Sequence, residues 1–193
     1  MIHTGLYFGT FNPVHIGHMA IAGYMAQFTE LEQVWMVVSP QNPLKTKSGL
    51  LKDHHRLAML QQALEDYPYL KASNIEFGLP KPSYTIQTLA FLQEKHPNHR
   101  FSLILGSDNL ETFHKWKNYE VILERHLLFV YPRPGHDGGA LRNHENVRWV
   151  ENAPLFEISS TFIRQAVKSG KDIRYLMPEK AWNYMREMHF YER

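Results

Sequence analysis

Apolar residues gather in short unbroken runs, separated by longer stretches in which they recur every three or four positions. Leu6–Phe8, Val34–Val38, Phe101–Leu105 and Leu127–Tyr131 are runs of the first kind, with the length and continuous hydrophobicity of strands covered on both faces. His15–Phe28, Asp53–Tyr67, Ser83–Lys95 and Tyr119–Glu124 are of the second kind and predict helices, with Ser83 as the cap of its own. After Tyr131 the pattern breaks. "PRPGHDGG" is a loop by its proline and glycine content, "VRWV" (Val147–Val150) a short strand, and Ser159–Ser169 a helix closed by Gly170. A last helix runs from Pro178 to Met188. There is no internal repeat, low-complexity tract or linker.

Strands alternating with helices imply βαβ units with right-handed crossovers. The expected fold is a single α/β domain over residues 1–193, with a doubly wound, Rossmann-like, mostly parallel sheet flanked by helices. In such sheets ligands sit beyond the carboxyl ends of the strands. The unusual residues stand at those places: "GTFNPVHIGH" after the first strand, "SPQNPLK" after the second, "GSD" after the fourth and "PRPG" after the fifth.

Composition narrows the function classes. A length of 193 residues with 44% hydrophobic and 21% charged positions is ordinary for one globular domain. A formal charge of +2 gives no argument for a nucleic acid or a membrane surface as partner. No apolar run is long enough for a membrane span, and the N-terminus lacks the pattern of a signal peptide. The absence of cysteine excludes disulfides, thiolate metal sites and a cysteine nucleophile, and it fits a cytoplasmic protein. The twelve histidines are mostly scattered through polar, loop-like contexts.

"GTFNPVHIGH" is neither a P-loop nor a dinucleotide fingerprint. A glycine-bearing turn that opens a helix is nevertheless an anion site, because free N–H groups and the helix dipole favour negative charge there. His15 and His18 share a helix face, and Gly17 lets a ligand approach the backbone. Phosphate binding, a capped helix with a core histidine, and a metal pair are three readings of these residues. The metal reading lacks the glutamate and spacing of a zinc helix.

In "ISSTFIR" a serine cap leaves Ser160 and Thr161 at a helix start, with Arg164 one turn on and able to grip phosphate oxygens. Asp108, at a strand end, suits ribose hydroxyls. Phe113 and Trp116 share a face and are either core or a stacking surface; residue type alone favours core. Lys45 and Arg133 are loop cations near the expected ligand face.

"GTFNPVHIGH", "NPLK", "PSYTIQTL", "GSDNLETFHKW", "RPG" and "ISSTFIR" occur here in an order that resembles the nucleotidyltransferase superfamily marked by a histidine-x-glycine-histidine signature. Within it, the chain looks like the bacterial nicotinate-nucleotide adenylyltransferases. The resemblance implies adenylyl transfer from ATP to nicotinate mononucleotide, giving nicotinate adenine dinucleotide and pyrophosphate. Mg²⁺ would arrive with ATP, with no metal ligands on the protein. By the same resemblance His15, His18 and Arg164 are catalytic. Gly9, Thr10, Phe11, Lys45, Gly106, Asp108, Ile158, Ser160 and Thr161 join them in binding ATP. Asn12, Tyr84, Thr85, Trp116, Lys117 and Arg133 meet the mononucleotide, with Trp116 stacked on its pyridine ring. Phe8 and Asn12 stand where the family often has glycine and aspartate. The rivals are a transferase acting on another phosphorylated acceptor, such as phosphopantetheine, and a noncatalytic nucleotide-binding module.

Overall fold

The computed structural model describes residues 1–40 and 49–192. The first half runs β1 (Ile2–Gly9), α1 (Ile16–Phe28), β2 (Gln33–Val38), α2 (Asp53–Leu64), β3 (Leu70–Ser73) and α3 (Thr85–Lys95). The second runs β4 (His99–Gly106), α4 (Ser107–Glu111), α5 (Tyr119–Arg125), β5 (Leu128–Tyr131), β6 (Val147–Trp149), α6 (Ser160–Lys168) and α7 (Glu179–Glu187). All strand pairings are parallel, in the order β3-β2-β1-β4-β5-β6. The chain thus winds outward from β1 in one direction and from β4 in the other. The crevice between the carboxyl ends of those two strands is the switch point at which open sheets of this kind bind ligands.

Strand residues alternate between two buried layers. Tyr7, Met36, Ile104 and Phe129 face the layer of α1, α2, α6 and α7, while Leu6, Val37, Leu103 and Leu128 face that of α3 and α5. Double-sided burial explains the unbroken apolar runs in the central strands. Both edge strands are short, and β3 ("LKAS") carries one buried residue, Leu70. It escaped the sequence pattern because an edge strand has little apolar surface to hide. Boundaries also move: β1 begins at Ile2, four residues before the expected Leu6. Helix α3 begins at Thr85 with Tyr84 at the cap position, so Ser83 is not the cap; it is buried instead. Helix α2 ends at Leu64, three residues before the expected Tyr67. No helix among the described residues is long and apolar enough to cross a membrane.

The carboxyl-end loops are joined from below by one side chain. Arg56, in the first turn of α2, is fully buried. Its guanidinium donates to the carbonyls of Thr10, Ser39 and Leu51 and to the Asp53 carboxylate at 2.6 Å. A buried charge is tolerated only when its donors are met, and here three backbone carbonyls and one carboxylate meet them. Arg56→Met is expected to lower stability by about 3–5 kcal/mol, because Asp53 and three carbonyls lose their donor together. For a domain of this size that is a fall in melting temperature on the order of 10 °C, read in a thermal melt. An unchanged midpoint would mean that these bonds add nothing.

Candidate active site

The turn between β1 and α1 forms one wall of a cleft of about 420 Å³ over the switch point. Gly9 ends β1; a Cβ there would lie 2.9 Å from the Phe11 ring. Phe11 (φ 44°) turns its side chain down into the core and does not line the cleft. Its ring instead meets His18 edge-on at 5.0 Å. His15 caps α1 and stacks on His18 with ring centroids 3.7 Å apart. The His15 N–H donates to His18 Nδ1 at 3.2 Å, so a neutral His18 carries its proton on Nε2. Gly17 leaves His15 room as well as any ligand: a Cβ at that position would press on His15 Nδ1 at 3.1 Å.

The start of α6 forms the opposite wall. Ser159 is the cap, accepting from Phe162 N–H at 3.1 Å. Ser160 Oγ donates across to the Pro13 carbonyl at 2.9 Å, so that hydroxyl fastens the two walls to each other. Arg164 does the same one turn on, donating to the Asn12 carbonyl at 2.8 Å and to Thr161 Oγ1 at 3.3 Å. Among the described residues these two bonds engage two of its five donors. Asn12 lines the cleft, but its amide serves the protein: Nδ2 donates to the Gly49 carbonyl, and Oδ1 accepts from Leu51 N–H and the Tyr191 hydroxyl.

The far end is built on β4 and β5. Gly106 ends β4 beneath the Asp108 carboxylate, and Arg133 Nε lies 3.8 Å from Asp108 Oδ1. Arg133 lines the cleft; Asp108 stands at its edge as the ion-pair partner. Trp116 is at once core and wall, with its ring 5.0 Å from Phe113 and another part of it exposed to the cleft. Tyr84, Thr85 and Lys117 stand outside the lining; the Lys117 ammonium sits over the Tyr84 ring at 4.5 Å. Gly9, Thr10, Gly106, Ile158, Ser160 and Thr161 line the cleft with the histidines and Arg164. Lys45 lies outside the described residues.

Burial, followed by the nearby charge of Arg133, lowers the His15 pKa to about 4, so this imidazole is neutral at neutral pH. Among the described residues fixed positive charge therefore comes from Arg133 and Arg164, and partial charge from the N-termini of α1 and α6. Among the described residues no group of three or more His, Asp or Glu is arranged to hold a metal ion.

Several contributors escaped the sequence reading. Tyr7 and Tyr131 line the cleft with their hydroxyls 3.3 Å apart, and burial raises both phenols, so they remain protonated donors. Their places at the ends of β1 and β5 were the available signal. Glu76, only 3% exposed, accepts from Thr88 Oγ1 at 2.8 Å. Burial raises its pKa, while bonds from Thr88, Ser39 and Ser83 oppose the rise. It thereby ties the approach to α3 to the cleft-lining Ser39.

The sequence pattern of the cytidylyltransferase-like family matches residues 6–166. A Flavobacterium johnsoniae protein named "probable nicotinate-nucleotide adenylyltransferase" is 55% identical, with 98% of each chain covered. A Bacteroides thetaiotaomicron protein of the same name is 47% identical over 96% of this chain and 92% of its own. A solved structure of Plasmodium falciparum nicotinic acid mononucleotide adenylyltransferase complexed with NaAD superposes with a TM-score of 0.82. It covers 100% of this chain and 98% of that one at 18% identity, a likeness of fold. The chain belongs to the cytidylyltransferase-like family and, within it, to the group that carries the nicotinate-nucleotide adenylyltransferase name.

Proposed function

We propose that the cleft binds ATP and nicotinate mononucleotide together and transfers the adenylyl group between them, forming nicotinate adenine dinucleotide and releasing pyrophosphate. The observation that carries this reading is the meeting of two anion-binding walls at the switch point. The imidazole-bearing start of α1 and Arg164 of α6 are fastened across a single turn at Asn12 and Pro13. Membership of the adenylyltransferase group supplies the class of reaction.

The nucleophile is a phosphate oxygen of the mononucleotide, already ionised at neutral pH. It forms a bond to the α-phosphorus of ATP while the bond to the bridging oxygen breaks, and that electron pair leaves with pyrophosphate. No proton has to be removed, so the protein's task is alignment and charge stabilisation. In this reading His18 donates through Nε2 to the transferring group, Arg164 and the N–H groups of α6 hold phosphate oxygens, and Arg133 takes the mononucleotide phosphate. Trp116 stacks on the pyridine ring, with Tyr84, Thr85 and Lys117 at the nicotinate carboxylate. Mg²⁺ comes with ATP as part of that substrate. The same reading takes residues 1–193 as one nucleotidyltransferase domain acting in the cytoplasm.

His18→Ala is expected to lower pyrophosphate release by about 100- to 1,000-fold, the usual scale for losing one preorganised donor, with the circular dichroism spectrum unchanged. Turnover within a few-fold of wild type would sink the role assigned to His18. Trp116→Ala is expected to raise the KM for nicotinate mononucleotide about tenfold or more, and to leave the KM for ATP within about twofold. Equal losses for both substrates in steady-state kinetics would return Trp116 to a packing role.

A further inference from the structure

The segment that follows α7 reaches back into the wall of the cleft. Phe190 packs on the first turn of α2, its ring 4.7 Å from that of His55, and the next residue sends its hydroxyl to Asn12 Oδ1 at 2.6 Å. Two residues of this short segment, His189 (φ 53°) and Tyr191 (φ 64°), hold left-handed backbone, which costs a bulky L-residue about 1–2 kcal/mol. Phe11, next to Asn12, is also left-handed (φ 44°). Unfavourable conformations on both sides of one hydrogen bond persist only where the surrounding contacts hold them.

Asn12 is the junction. The orientation of its amide is unambiguous, because the Leu51 N–H can only donate to Oδ1 and the Gly49 carbonyl can only accept from Nδ2. An aspartate at this position would face the Gly49 carbonyl with an ionised carboxylate and no proton to offer. The backbone carbonyl of Asn12 receives Arg164, and that of the next residue receives Ser160. The amide held by Tyr191 and the carbonyl that anchors Arg164 thus belong to one residue. The hydrogen bond of the Tyr191 side chain goes to this amide, and burial keeps its phenol protonated and able to donate.

We propose that Tyr191 is a positioning residue for adenylyl transfer: through Asn12 it fixes the spacing between the histidine-bearing turn after β1 and the arginine-bearing α6. The proposal rests on the reading of these two walls as the phosphate clamp. Removing only the hydroxyl leaves the ring, its packing and the Leu51 bond in place. The fold is then retained, while the Asn12 residue that anchors Arg164 loses one of the three partners of its amide.

The test is a double-mutant cycle of Tyr191→Phe with Arg164→Ala. It is read by pyrophosphate release and, independently of any acceptor, by calorimetric binding of a non-hydrolysable ATP analogue. Tyr191→Phe is expected to lower kcat about 5- to 20-fold and weaken analogue binding about 3- to 10-fold, and to add almost nothing once Arg164 is alanine. Wild-type kcat and analogue affinity in Tyr191→Phe would overturn the proposal. So would an equal loss in both backgrounds, or loss of folding, since each makes the hydroxyl a stability element unrelated to Arg164. If Arg164→Ala leaves analogue binding intact, the clamp and the proposal fall together. If the wild type binds the analogue yet releases no pyrophosphate with nicotinate mononucleotide, the acceptor assignment fails. The binding cycle then still decides the role of Tyr191.

Discussion

The architecture of the cleft depends on a fully buried cation that stands outside its lining. Arg56 lies under the carboxyl ends of β1 and β2, and its guanidinium joins the residue after β1 (Thr10), the residue after β2 (Ser39), the approach to α2 (Leu51) and the α2 residue Asp53. Loops that carry ligand-binding groups have few apolar contacts to hold them, and their carbonyls must find donors wherever they are buried. One planar group with five donors satisfies three such carbonyls at once, in directions a lysine could not reproduce. The turn from Gly9 to His15 therefore rests on a rigid base, as a clamp for phosphate must if it is to be aligned before the substrate arrives.

From that base the walls are joined upward in layers. Arg56 holds Thr10 from below, Asn12 and Pro13 receive Arg164 and Ser160 from α6, and Tyr191 secures the Asn12 amide from the segment after α7. On the other side Glu76 ties Ser39 to Ser83 and Thr88, connecting the end of β2 to the approach to α3. The ties from α6 and from the segment after α7 cross 147 to 179 positions of sequence, and none is made by the helices' own hydrogen bonding. The cleft is thus an assembly of loops held by buried polar groups on a sheet held by apolar ones.

That division decides what the sequence disclosed. The central strands were legible because double-sided burial leaves unbroken apolar runs, and "GTFNPVHIGH" and "ISSTFIR" because unusual residues at a strand end or helix start have few structural uses. Arg56 was hidden inside "DHHR", which reads as the polar opening of a solvated helix; nothing local distinguishes a buried guanidinium from an exposed one. Asn12 was flagged as a ligand contact, yet its amide is occupied by Gly49, Leu51 and Tyr191, partners up to 179 positions away. Ser160 was expected to bind ATP, and its hydroxyl donates to the Pro13 carbonyl. Phe11 turned inward to support His18. Sequence pattern located the cleft; the division between groups that face a ligand and groups that brace them was set by long-range contacts.

The same contrast explains how a chain with a formal charge of +2 can suit two multiply charged substrates. The charge that matters is local. Burial and Arg133 keep His15 neutral, so this imidazole adds no repulsion to the arginines beside it. Arg133 is itself balanced by Asp108 at 3.8 Å, and Arg164 is held on a neutral carbonyl, with no carboxylate partner among the described residues. Of the two arginines, Arg164 therefore has less to give up when a phosphate approaches, because a carbonyl competes for a guanidinium far more weakly than a carboxylate does. A site arranged in this way gains most when charge builds up between the two walls, which is where a transferring phosphoryl group would lie.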